Sequence, residues 1–174
     1  VVRSFELARE LLPGGYFVYN DYNEIMPAKR TKILALLDML KSAGNLVDAF
    51  GFQCHWNIHD LDLDELRRSI ELYAAKGVHL QMTELDLSLY ASSDKEIYDA
   101  ATPENLALQA DLYGKIFAIF REYKDVIDSV TFWGATDADS WLQGFPVRNR
   151  PYNQPLLFDG DCQPKECFRR VVEF

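Results

Sequence analysis

Short β-prone runs alternate along this chain with longer stretches whose apolar residues recur at helical spacing. Tyr16-Phe17-Val18-Tyr19 predicts a first strand that ends at the polar cluster Asn20-Asp21-Tyr22-Asn23. A helix follows, with Pro27 in its first turn, Ile33, Leu34, Leu37 and Leu40 on one face, and Gly44 as its stop. Ala49-Phe50-Gly51-Phe52-Gln53 predicts a second strand ending at Cys54-His55-Trp56. Asp62 or Asp64 caps a second helix carrying Leu66, Ile70 and Tyr73, with Gly77 just past its end. Val78 to Thr83 predicts a third strand, and Ser88 to Thr102 a longer loop. The next helix runs from Pro103 to about Tyr123, with Leu106, Ala110, Tyr113, Phe117 and Phe120 on one side. Ser129 to Gly134 predicts a fourth strand, then comes a long loop through Asp159 and a final helix over roughly Pro164 to Val172. Val1 to Leu11 reads as a helix ahead of the first strand.

Repetition of strand then helix points to a parallel α/β sheet. Four such units make half of a (β/α)8 barrel, which typically needs about 250 residues. Four parallel strands with helices on both faces would instead make a small open sheet. The helix-first start favours a chain cut out of a longer one. At 174 residues the sequence suits one domain with a sizeable core.

Composition narrows the partners more than the fold. A net charge of −9 argues against nucleic acid or an anionic membrane and is compatible with a neutral or weakly charged polymer. Nine Tyr, eleven Phe and three Trp serve a large core or a sugar-stacking surface. No apolar run approaches the roughly 18 residues of a membrane span, and the N-terminal residues lack the order of a signal peptide. Cys54, Cys162 and Cys167 are too few and scattered for a disulfide framework or a zinc site. Cys162 and Cys167 either bridge within a loop or stay as free thiols, and the compartment stays open. Asp60, Asp62, Asp64 and Glu71 imitate calcium-loop offsets, but Glu65 stands where that loop needs glycine, so they read as capping and surface charges.

The third strand closes on Thr83-Glu84-Leu85-Asp86, which puts carboxylates at a strand's carboxyl end, where parallel α/β sheets build their active sites. Glu84 is then a carboxylate on a rigid element aimed at a substrate. The other strands end in Asn20-Asp21-Tyr22-Asn23, Gln53-Cys54-His55-Trp56 and Trp133-Gly134-Ala135-Thr136-Asp137. Together these supply acid/base groups, hydroxyl partners and stacking faces, a mixture suited to sugars. Glycoside cleavage needs two carboxylates, and a second matching one is hard to find in this chain.

Five motifs in order carry a family resemblance: Tyr19 to Asn23, Gly51 to Trp56, Thr83 to Asp86, Thr131 to Asp137 with Ser140-Trp141, and Pro155 to Asp159. The chain resembles the family 10 glycoside hydrolases, retaining endo-1,4-β-xylanases on a (β/α)8 TIM barrel. That resemblance covers nearly the whole chain and places it on the second half of the barrel, strands five to eight. It implies Glu84 as nucleophile, His55 as the histidine that hydrogen-bonds it, and Asp86 as the carboxylate that orients the histidine. Asn20, Tyr22 and Gln53 match polar residues around the same centre, and Trp133 and Trp141 match aromatics lining the sugar site. The family's acid/base glutamate sits at the end of strand four, in a motif this chain lacks, and Cys54 stands where the family usually has Ser. Without the resemblance, Glu84, His55 and Trp133 would read as surface, structural and core residues, as His59, His79 and Trp56 still do.

Two readings follow. In one, the chain is the C-terminal half of a secreted xylanase, needs no metal or cofactor, acts on xylan or xylo-oligosaccharides, and is inactive alone. In the other, it is a non-catalytic half-barrel that binds xylan weakly or docks with a separate N-terminal half. Either way, a bare half-barrel exposes strand edges, so the N-terminal half or a dimer mate is expected to cover them.

Overall fold

The computed structural model describes residues 1–144 and 150–173. The first helix, α1 (Val2–Leu11), precedes strand β1 (Val18–Asp21), helix α2 (Pro27–Ser42) and the strands β2 (Ala49–Phe52) and β3 (His55–Asn57). Then come α3 (Leu63–Ala74), β4 (His79–Ser88), α4 (Pro103–Glu122), β5 (Ile127–Phe132), a 3-10 turn at Asp137–Asp139, the short α5 (Trp141–Gly144) and α6 (Glu166–Val172). The strand-helix alternation is the expected one, and every pairing with a described register is parallel.

Several boundaries differ from the sequence reading. The first strand begins at Val18 and takes in Asn20 and Asp21. The third extends five residues beyond Thr83, so Glu84 lies within a strand rather than at its end. That extension gives His55–Asn57 a partner, creating β3, which the sequence reading treated as a strand terminus. The fourth strand starts earlier, at Ile127. The final helix starts at Glu166. Within the long loop before it lie the 3-10 turn and α5. Among the described residues, no helix is long and apolar enough to cross a membrane.

The backbone divides into two compact units. The first comprises Val1–Cys54, Leu63–Thr83 and Tyr123–Val130. Here β1 pairs with β2 and β2 with the start of β4, with Asn20 opposite Gly51 and Phe52 opposite Met82. Its core is aromatic: the Phe50 and Tyr73 rings lie 4.4 Å apart and Phe52 meets Tyr73 edge-on at 5.4 Å. Each such buried side chain contributes about 1.5–3 kcal/mol. Ile33, Leu37 and Leu40 of α2 and Leu66 and Ile70 of α3 are buried, as their helical spacing requires. The φ of +69° at Gly77 follows α3, a left-handed stop that favours glycine. Arg30 of α2 is buried and bonds Glu65 (2.5 Å) and Ser69 (2.9 Å) of α3.

The second unit comprises His55–Asp62, Glu84–Glu122 and Thr131–Phe174. Its core holds Leu85, Leu87, Tyr113, Ile116, Ile119, Leu156 and Val171. The Arg121 guanidinium of α4 donates to the Val171 carbonyl of α6 at 2.5 Å. Buried Asp137 accepts the Leu156 N–H (2.8 Å) and the Lys165 ammonium (2.9 Å), and Lys165 also donates to the Gln154 and Leu156 carbonyls. Burial pushes the Asp137 carboxyl above its ordinary range, with Lys165 offsetting part of that effect. The three cysteines are free thiols; Cys54 and Cys167 are buried, and burial pushes the Cys167 thiol up to about 11.

Candidate active site

Strand geometry assembles the centre. Side chains two apart on a strand share a face, so Glu84 and Asp86 of β4 project together, opposite Leu85 and Leu87. His55 of β3 is the register partner of Asp86, which places its ring on that same face. The buried apolar positions of β4 are Leu80 and Met82, then Leu85 and Leu87, so their alternation changes parity midway. The pairings record the same step: residues of β4 are offset by 30 from β2 and by 31 from β3. One extra residue is therefore taken up between Met82 and Asp86, a bulge of the kind that re-aims side chains beside active sites.

The distances are those of a hydrogen-bonded chain. His55 Nε2 lies 3.3 Å from Glu84 Oε2, and His55 Nδ1 lies 3.0 Å from Asp86 Oδ2. The Trp141 indole N–H donates to the same Asp86 oxygen at 2.8 Å. Asp86 is 1% exposed. Glu84 keeps 15% of its side chain open to solvent. Burial, the largest single influence on His55, disfavours its charge, but Asp86 and Glu84 outweigh it and raise its pKa above the ordinary 6.5. When cationic, the imidazolium donates from both nitrogens, one to each carboxylate.

Two indoles flank the histidine. The Trp141 ring centre is 5.1 Å from that of His55, and the Trp133 centre is 6.4 Å away. Trp133 lies just past β5, its N–H bonded to the Leu85 carbonyl at 3.1 Å, and 45% of its surface is exposed despite its β-prone, apolar surroundings in sequence. Gly134 follows with φ +145°, and a Cβ there would stand 2.7 Å from Leu156 Cδ1. An exposed indole face beside a partly open carboxylate suits a pyranose ring. Glu84 has the exposure a nucleophile needs. Asp86, enclosed and committed to two donors, is not placed to protonate a leaving group.

The structure thus brings together Glu84, His55, Asp86, Trp133 and Trp141. The remaining predicted residues belong to the first unit. Asn20 is exposed, with Oδ1 2.7 Å from the Thr83 hydroxyl. Tyr22 is exposed, with the Lys29 ammonium 4.4 Å over its ring. Gln53 is half-buried, and its backbone N–H donates to the Asp21 carbonyl at 3.1 Å. His59 bonds the Leu89 carbonyl and His79 bonds Asp128, both structural uses. Sequence reasoning missed Tyr90, Ser92 and Arg150, which with His55, Asp86 and Trp141 bound a cavity of about 70 Å³. Nothing local in the sequence marks them.

Comparison with known proteins bears on this geometry. The family model described as glycosyl hydrolase family 10 matches residues 1–174. Endo-1,4-beta-xylanase A of Caldicellulosiruptor saccharolyticus is 45% identical, covering 98% of this chain and 50% of its own. The endo-1,4-beta-xylanase of Geobacillus stearothermophilus is 44% identical, covering 99% and 52%. Among solved structures, a Thermobacillus composti GH10 xylanase superposes with a TM-score of 0.93 at 49% identity, over 98% of this chain and 56% of that one. A mutant in complex with xylotriose superposes with a TM-score of 0.93 at 43% identity, over 99% and 53%. The chain spans about half the length of the curated relatives it matches. These neighbours imply a (β/α)8 barrel, of which this parallel sheet with its helices is a fragment. A match that extends over all 174 residues leads to one conclusion: the chain belongs to glycosyl hydrolase family 10.

Proposed function

We propose that residues 1–174 are the C-terminal half of the catalytic barrel of a retaining endo-1,4-β-xylanase, strands five to eight, with Glu84 as its nucleophile. The observation that carries this reading is the chain of hydrogen bonds from Glu84 through His55 to Asp86, beside the exposed face of Trp133. Double displacement fits that arrangement. Ionised Glu84 attacks the anomeric carbon while an acid, about 5–5.5 Å away, protonates the departing glycosidic oxygen; water then releases the glycosyl group from Glu84. The acid/base glutamate belongs to the N-terminal half. A cationic His55 stabilises ionised Glu84, and Asp86 holds the imidazole in orientation and favours its charge. Trp133 and Trp141 line the sugar site. An insoluble polymer such as xylan must be met outside the cell, so the complete enzyme is secreted.

The test is to trap the intermediate. In the full-length enzyme, a 2-fluoro xylobioside with an activated leaving group should label the peptide containing Glu84, and xylo-oligosaccharide cleavage should release the β-anomer first. A label on another carboxylate, or initial release of the α-anomer, overturns the assignment. The 174 residues alone should give no sustained xylan hydrolysis, and supplying the N-terminal half in trans should restore it.

A further inference from the structure

We infer that Arg150 is a positioning residue that holds the segment after β4 as a wall of the substrate site; this rests on the xylanase reading. Residues 89–98 form no helix or strand, so their shape depends on side-chain ties. Arg150 supplies three contacts to it from one side chain. Its side chain donates to two backbone carbonyls of that segment, Ala91 (3.3 Å) and Asp94 (2.6 Å). Its guanidinium carbon sits 4.6 Å from the centre of the Tyr90 ring. Its own backbone N–H donates to the Leu142 carbonyl (3.3 Å), and its carbonyl accepts the Asn153 N–H (2.9 Å). One residue therefore binds the segment after β4 to the helix that carries Trp141.

Two features separate this from an ordinary surface arginine. Arg150 is 9% exposed, and its side-chain partners among the described residues are two backbone carbonyls and an aromatic ring. Its charge strengthens bonds to carbonyls, a use in which the rigid planar fork matters more than neutralisation. The segment it holds reaches the reaction centre, because Tyr90, Ser92 and Arg150 bound the same cavity as His55, Asp86 and Trp141. The other ties fall within the segment or reach Asn57, His59, Asp60 and Asn153. Asp94 accepts the Ala91 N–H (2.9 Å) and the Tyr98 hydroxyl (2.7 Å), the Ser92 N–H donates to Asp60 (2.9 Å), and the Tyr90 hydroxyl donates to the Tyr98 carbonyl. None of the bonds linking Glu84, His55 and Asp86 passes through Arg150. Its loss should weaken substrate binding and spare the chemical step.

The experiment compares the full-length wild type with Arg150→Met and Arg150→Lys. Amide exchange in residues 89–98 should speed up at least about tenfold in Arg150→Met, which donates no hydrogen bond, and by less in Arg150→Lys, whose ammonium lacks the planar fork. KM for xylohexaose should rise about five- to thirtyfold, with kcat and the pH profile on a short activated aryl xylobioside unchanged within about twofold. Unchanged exchange, an unchanged KM, or a fall in kcat with a moved pH profile each overturns the assignment. If Arg150→Met does not fold, Arg150→Lys decides: it keeps the charge, loses the planar fork that spans both carbonyls and lies over Tyr90, and should give the same pattern in smaller size. The exchange measurement needs no substrate. A wild type inactive on xylan would refute the xylanase reading, while faster exchange in the variants would still place Arg150 as the tie.

Discussion

Asp86→Asn tests the electrostatics of the centre with little change of shape. Both donors that Asp86 receives, His55 Nδ1 at 3.0 Å and Trp141 Nε1 at 2.8 Å, meet the same oxygen, Oδ2. An asparagine with its carbonyl in that place can accept from both, so the substitution removes charge and leaves the acceptor. A hydrogen bond to a charged group contributes about 1.5–3 kcal/mol against about 1 for a neutral one. Asp86 and Glu84 together raise the His55 pKa against the opposing effect of burial, so without the Asp86 charge that pKa falls. A smaller fraction of His55 is then cationic at a given pH, which weakens the positive neighbour that Glu84 has at 3.3 Å. If the lost difference of about 0.5–2 kcal/mol appears in the glycosylation barrier, kcat/KM drops about 2- to 30-fold. The assay is the pH–rate profile of the full-length variant on an activated aryl xylobioside, with an NMR titration of the His55 ring. A His55 pKa that stays put or rises, or an unchanged rate at neutral pH, would refute the reasoning.

The remaining predictions concern Glu84 and His55, stability and the Trp133 turn. Glu84→Ala should cost several orders of magnitude in turnover, each tenfold being about 1.4 kcal/mol, and near-normal activity would remove Glu84 from the mechanism. His55→Ala should give a smaller loss with a moved pH optimum; an unchanged profile would make His55 structural. Because the folded His55 pKa lies above 6.5, its stabilisation is complete below that pH and is lost as pH rises through the folded value. Thermal midpoints should therefore show this loss in the wild type and a flatter profile in Asp86→Asn. Lys165→Met should destabilise by about 3 kcal/mol in denaturant titration, since it strands Asp137 in a pair whose side chains are 12% and 3% exposed. Gly134→Ala should cost about 2 kcal/mol from its φ of +145° and the contact with Leu156, and should shift Trp133 fluorescence.

The alternation of strands and helices was readable because periodicity and punctuation agree: Pro27 opens α2 and Gly77 follows α3. The centre was less so. Glu84 and Asp86 stood out by position and by resemblance, but their chain neighbours did not reveal a strand continuing to Ser88. That continuation alternates Leu85 and Leu87 with acidic residues, and β propensity undervalues acids whose surroundings come from another strand. His55-Trp56-Asn57 is a strand only because β4 reaches it, so no local pattern announces β3. Trp133 shows the converse, since its apolar neighbours suggest burial while the turn at Gly134 leaves it exposed. Arg150 was illegible for a simpler reason: its two carbonyl partners lie 59 and 56 residues away in sequence.

The pairing of His55 with Asp86 across two strands, and of Glu84 with Asp86 along one, has a consequence for how such a protein can change. Three side chains are indexed by backbone ladders alone, as teeth are indexed on meshed gears. Surface loops between these strands can lengthen or shorten over generations without disturbing that index. A single residue gained or lost between Glu84 and Asp86 cannot be absorbed so easily, because it turns one carboxylate to the opposite side of the sheet. Homologues should therefore vary in loop length while holding the Glu-x-Asp interval constant. A library that permits insertions should return live clones almost wherever the chain leaves the sheet and none in that interval.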